Sequence, residues 1–225
     1  MAAKKVTDKK KISLPKLDIQ IIEVPIVGDA ILITHNWSEK AKQMMLGKQM
    51  KEANEGLAAK DPEADFRAGV YEMSDGGAGI PSVAFKNAAV EACTSLDITK
   101  IAARQAFHVM GEIAWVNGAF PGLEMRQDLV RIQGSKPQMR EDMVKLSGPG
   151  SSADLRYRPQ FWPWWALLTI RFNTRVLSAA QIVNLINTAG FGVGVGDWRP
   201  AKNGQHGMFH VAIDGEVDEI EKEAA

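Results

Sequence analysis

The C-terminal third of the chain leaves the fewest folds open. "WALLTIRFN" (165–173) reads as a strand. "SAAQIVNLINTAG" (178–190) reads as an amphipathic helix, with a capping serine at its start and Gly190 as its terminator. "GMFHVAI" (207–213) reads as a closing strand. The order is strand, helix, glycine-rich segment, strand.

The glycines of that segment are Gly190, Gly192, Gly194, Gly196, Gly204 and Gly207. Phosphate-cradling loops precede a helix, because the ligand uses the free N–H groups of the helix start. These glycines follow a helix, which argues against a dinucleotide fold, and no Walker pattern is present. If the segment is extended, Gly192, Gly194 and Gly196 share one face, with Phe191, Val193 and Val195 on the other. The side-chain-free face would admit a ligand or a neighbouring chain. Trp198, Arg199, Lys202 and His206 follow at once and suit stacking on bases and contact with phosphates. The alternative is a glycine-rich turn whose Trp198 caps the core.

Upstream, "DIQIIEVPIVGDAILITHNW" (18–37) reads as a strand bent around Pro25–Gly28. Ser38 caps a helix. Asp61-Pro62 offers a short helix start and Val70-Tyr71 a strand start. In "GGAGIPSVAFKNAAVEACTS" (76–95), Pro81 suits a first helical position. Val83, Ala84, Ala88 and Cys93 form the expected apolar stripe there, with Lys86 and Glu91 outside it. "ITKIAARQAF" continues as a second helix, and "FHVMGEIAWV" (107–116) alternates like a strand.

The middle holds an internal repeat. "EMRQDLVRIQG" (124–134) matches "QMREDMVKLSG" (138–148) at an offset of 14 residues. That is too short for a solenoid unit and suits two arms of a hairpin turning at Gly134–Pro137. Between Glu124 and Arg175 stand nine Lys/Arg and five Asp/Glu. "RYRPQFWPWW" (156–165) interleaves arginines with rings. Phe161, Trp162, Trp164 and Trp165 could stack on bases, anchor an interface, or pack on the core.

The formal net charge is zero, so the global charge points neither to nucleic acid nor to membranes. The ends differ: "KKVTDKKK" carries five lysines against one aspartate, and "DGEVDEIEKE" six acids against one lysine. Both are expected to be solvated. The single cysteine, Cys93, precludes an intrachain disulfide, and no apolar run is long enough to span a bilayer. A cytoplasmic protein is expected. His206 and His210 would lie roughly 13 Å apart on an extended segment, too far to share one metal ion. Neither a metal site nor a cofactor is expected.

The first strand with its Ser-capped helix, the Ile80-Pro81-Ser82-Val83-Ala84-Phe85-Lys86 helix start, the basic middle segment and the closing glycine-rich unit are together similar to the RAMP superfamily of CRISPR backbone subunits. The chain also resembles uncharacterised proteins of tailed bacteriophages over most of 20–212. The resemblance implies an α+β, ferredoxin-like antiparallel sheet of RNA-recognition type, with helices on one face and a long β-hairpin inserted at about 120–160. The corresponding organisation is a basic arm (1–16), one domain (17–213) and an acidic tail (214–225). It further implies nucleic-acid binding by a repeating subunit. The hairpin would act as a thumb, and Lys86, Arg126, Arg131, Arg140, Lys145, Arg156 and Arg158 would be phosphate ligands. Asp128 and Asp142 in the repeats could instead pair with Arg126 and Arg140.

The expected function is non-catalytic, largely sequence-independent binding of single-stranded DNA or RNA, with copies of the chain oligomerising along the strand. Two alternatives stand beside it. One is a structural or regulatory interaction protein, such as an assembly factor or a CRISPR-subunit mimic. The other is a metal-independent endoribonuclease using His35, which stands where the first strand meets the first helix.

Overall fold

A computed structural model describes residues 17–51, 60–120, 122–145 and 153–224. The expected basic arm 1–16 lies outside the described residues. β1 (Ile19–Gly28) and β2 (Leu32–Ile33) open the fold. α1 (Glu39–Met50) and α2 (Pro62–Gly69) follow. Both helices begin where a side-chain oxygen satisfies a free N–H: Ser38 accepts from the Ala41 amide and Asp61 from the Ala64 amide. β3 (Tyr71–Glu72) and β4 (Ala78–Pro81) lead into α3 (Ser82–Ala92). Pro81 ends β4 rather than starting the helix. α4 (Lys100–Ala106), β5 (Phe107–Met110), β6 (Glu112–Asn117), β7 (Glu124–Arg131) and β8 (Gln133–Gly134) come next. The rest is β9 (Gln138–Lys145), β10 (Ala153–Phe161), β11 (Trp164–Asn173), α5 (Ala179–Gly192), β12 (Phe209–Val211) and α6 (Glu216–Ala224).

The fold is a mixture of helices and antiparallel sheets. The main sheet has the order β12-β1-β11-β5, with β8 pairing on the start of β11. α3 lies in the chain between β1 and β5, and α5 between β11 and β12. These two helices pack on each other and on one face of the sheet. Val24, Ile26, Leu168, Ile170, Phe172 and Phe209 from the strands meet Phe85, Ala88, Ala89, Ile182, Leu185 and Ile186 in one core. The buried stripe of α3 is thus Phe85, Ala88, Ala89 and Ala92, and Val83 is exposed. The α5 start is a full capping box between Ser178 and Gln181.

The expected long hairpin is replaced by two shorter ones in different sheets. β7 pairs with β6 and β4, whereas β9 pairs with β10. The two copies of the repeat therefore never pair with each other. Each took as partner a strand of unrelated sequence: β7 buries Leu129 and Val130, whereas β9 sets Asp142 against Arg158 of β10 at 2.6 Å. Residues 107–116 likewise form two strands, not one. Gly111 breaks them, and β5 joins the main sheet while β6 joins the β3-β4-β7 sheet. A Cβ at Gly111 would stand 2.7 Å from the Asp128 and Leu129 backbone, so only glycine permits this corner. β1 runs straight through Pro25, and the bend comes after Gly28.

The acidic end, expected to be solvated from 214 on, includes an ordered helix. α6 packs against β1, β8 and β11 and buries Ile220. His210 ties it down: one ring nitrogen lies 2.6 Å from Asp29 Oδ1 and the other 2.8 Å from Glu216 Oε1. His210 pairs across from Val27, the strand face opposite Ile26 and the main core. So α6 covers part of the second face of the sheet, and the helices are not all on one side.

Candidate nucleic-acid interface

The expected site required a bare glycine face and a basic ribbon opening on one groove. The glycine face does not exist. α5 continues through Gly190 and Gly192, and Gly190 lies so close to β12 that a Cβ would strike the Phe209 backbone. Beyond the helix the chain turns instead of extending. Gly196 has φ +76°, and a Cβ there would meet the Ile33 carbonyl. Gly194, Gly204 and Gly207 are also pressed against other backbone, and only Gly192 faces open space. Val193 and Val195 are buried. Backbone bonds from Gly207 to Ile31 (2.8 Å), Asp197 to Ile33 (2.9 Å) and Val195 to Gly207 (2.9 Å) stitch the segment to β2 and to itself. The glycines serve intramolecular packing.

The arginine ribbon is largely self-neutralised. In a strand, residues i and i+2 share a face, so Arg-x-Asp places the two charges side by side. Arg126 Nη2 lies 2.7 Å from Asp128, and Arg140 Nε lies 2.8 Å from Asp142. Arg131 is clamped by Glu112 at 2.8 Å and Asp75 at 3.0 Å. Those two carboxylates raise its pKa beyond the ordinary guanidinium value. Arg158 is 1% exposed and bridges Asp142 (2.6 Å) and Asp197 (2.8 Å). Arg156 lies 3.7 Å from Asp154. Lys145 and Lys202 are exposed, and Arg199 donates to the Gly196 carbonyl at 3.0 Å.

Trp198, 41% exposed, does meet the ribbon in a local cluster. Its ring stacks on His206 with centroids 6.1 Å apart. The Arg158 and Arg140 guanidiniums stand 5.2 and 5.9 Å from its centroid. Two arginines balance Asp142 and Asp197 there. Partial desolvation, then the charge of Arg140, lowers the His206 pKa. Of the expected interface rings, Phe161 and Trp164 are core residues, 1% and 0% exposed, and the Trp164 indole donates to the Ala30 carbonyl at 2.8 Å. Trp165 is half-buried and Trp162 exposed. His35 lines a hollow with Trp37, Asp65, Asp154, Arg156, Tyr157 and Asp197. Partial desolvation and the nearby Arg158 lower its pKa, against a raising pull from Asp197.

Like Lys145, Lys86 forms no ion pair among the described residues. Its ammonium reaches the edge strand β5, 3.1 Å from His108 Nδ1. Arg171 on β11 is the direct cross-strand partner of His108. Desolvation lowers the pKa of both Lys86 and His108, and for His108 the Lys86 and Arg171 charges add to it. Lys100 and Arg104 line the adjoining hollow beside Lys86, with Glu91 the one carboxylate in its wall. None of Lys86, Arg171, Lys100 and Arg104 forms an ion pair among the described residues. Beside this cluster the sheet face opposite the Leu168–Ile170–Phe172 core exposes Ile19, Ile21, Met110 and Leu167. Sequence reasoning named Lys86 but not His108, Arg171, Lys100 or Arg104. They come from α3, α4, β5 and β11, and nothing in their local spacing links them.

Among the described residues no group of three or more His, Cys, Asp or Glu is arranged to hold a metal ion. No described helix is long and apolar enough to cross a membrane. No protein-family model matches the chain, and no curated protein matches it. Among solved structures, the crystal structure of Cmr6 from Pyrococcus furiosus is similar at a TM-score of 0.41 and 12% identity, covering 88% of this chain and 100% of that one. Likeness at that level carries no functional inference.

Proposed function

We propose that the protein is a non-catalytic binder of single-stranded nucleic acid, with phosphates held at the Lys86–His108–Arg171 edge. One observation carries the reading: the ribbon arginines are paired with acids, while this edge gathers cations without carboxylate partners. Like charges brought together raise each other's energy, and a bound polyanion relieves that cost. The exposed apolar side chains on the adjoining sheet face offer unpaired bases a surface that a closed duplex cannot use. Phosphate-led contact gives little sequence preference. The strand order β12-β1-β11-β5 with α3 and α5 as crossovers supports a ferredoxin-like reading. A phage origin and oligomerisation along the strand rest on the sequence resemblance alone.

The test is an anisotropy titration of a labelled single strand and its duplex at several salt concentrations. The single strand should bind more tightly, and its affinity should fall steeply with salt. A K86E/R171E double variant should lose that affinity. No binding at low salt, or full binding by the double variant, overturns the reading.

A further inference from the structure

A second site lies away from the cationic edge. Trp37, on the loop between β2 and α1, is 53% exposed, and Trp115, in the edge strand β6, is 65% exposed. Both line one hollow of about 470 Å³ between α1, α2–β3 and β6. That volume is in the range of small-ligand pockets. Two indoles left in water on separate elements line the same cavity, and each offers it an aromatic surface. The Trp37 ring is held from behind by the edge of His35, with centroids 6.3 Å apart at 65°. The Lys42 ammonium donates to the Asn117 carbonyl at 3.3 Å, which ties α1 to β6 across the hollow.

The wall between the rings is polar and balanced in charge: Lys42 and Arg67 oppose Glu39 and Glu72. Arg67 has a distant partner, Glu63 at 3.7 Å, whereas Glu39 and Glu72 form no ion pair among the described residues. Ionised carboxylates only accept hydrogen bonds, so they select a ligand that presents N–H groups. A polyphosphate would meet repulsion from them. An aliphatic peptide side chain would leave two ring faces underused. A guanine base matches each demand: a π-face for the indoles, adjacent ring and amino N–H donors for a carboxylate, and a 5′-phosphate for the lysine.

We propose that this hollow is a nucleobase pocket, taking a guanine nucleotide between Trp37 and Trp115, its donor edge on the Glu39/Glu72 side and its phosphate toward Lys42 and Arg67. The site stands independently of the polymer-binding edge and would hold a free mononucleotide.

The experiment is calorimetric and tryptophan-fluorescence titration of the full chain with guanosine 5′-monophosphate. Adenosine 5′-monophosphate and ribose 5-phosphate are the comparison ligands. Guanosine monophosphate should bind and quench fluorescence, adenosine monophosphate should bind more weakly, and ribose 5-phosphate should not compete. W37A and W115A should each weaken binding by about tenfold or more, the loss of one stacked face. W37F, which retains a ring, should keep most of the affinity. K86E should bind the mononucleotide as the parent does, even where it fails on a polymer. The proposal is overturned by absence of binding, by equal binding of ribose 5-phosphate, by unchanged affinity in both tryptophan variants, or by loss in K86E. Thermal melts confirm that each variant is folded before its affinity is read.

Discussion

The two cationic regions differ in partnership more than in charge count. The β7–β10 ribbon has the greater density of arginine, yet its arginines face acids on the same or the adjacent strand. The α3–β5–β11 edge has fewer cations and no such partners. A polyanion senses the residual field, so the sparser region is the stronger candidate. Counting Lys and Arg along a sequence therefore overstates any strand that carries Arg-x-Asp.

The largest test of this contrast is Arg158→Ala. It strips a buried partner from Asp142, which is 6% exposed and would keep only Arg140. Breaking such a pair should cost about 3 kcal/mol, read as a lower denaturant midpoint at unchanged slope. Nucleic-acid affinity, measured where the variant is still folded, should stay near that of the parent. Stability close to wild type would mean that the network is not structural.

Next in size is Lys86→Glu, which should weaken single-strand binding by tenfold or more, roughly 1.4 kcal/mol at least. Arg126→Glu should change it by less than threefold, roughly 0.6 kcal/mol. Equal losses in the two variants would erase the distinction between the regions.

A smaller effect concerns pH. His108 has a lowered pKa in the free protein, so it is neutral at pH 7. The unfolded chain takes up its proton first, near the ordinary value of about 6.5. The His108 contribution to stability is therefore fully present above that pH and is lost as pH falls below it. A bound phosphate favours the charged form, so affinity should rise by a few fold as pH drops below about 6.5, with Lys86 and Arg171 opposing the charge and the ligand favouring it. His108→Ala should flatten that profile; a flat profile in the parent would remove His108 from the interface. The smallest expected effect is Arg126→Ala, about 0–1 kcal/mol of stability, because its pair with Asp128 is solvated.

Much of the scaffold was legible in the chain. Ser38, Asp61 and Ser178 mark helix starts by their own chemistry, and β11, α5 and β12 follow from local pattern. The Arg126–Asp128 and Arg140–Asp142 pairs follow from two-residue spacing. What local pattern could not reveal was partnership at a distance. Similar sequences in β7 and β9 suggested mutual pairing, but cross-strand choice depends on the partner each strand meets in the assembled sheet. The alternating glycines suggested an extended face, but the close approach of β12 lets α5 run two residues further. The cationic edge needed α3, α4, β5 and β11 assembled before it existed, and the indoles of the hollow needed β6 brought beside the β2–α1 loop.

The seating of α6 bears on how the protein is handled in the laboratory. Charge-rich chain ends are routinely trimmed or fused to tags as dispensable. Here, cutting before Glu216 would uncover the seat of Ile220 and leave His210 without one of its two carboxylates. Such a shortened product should be more prone to precipitate, and a purification handle belongs at the opposite end.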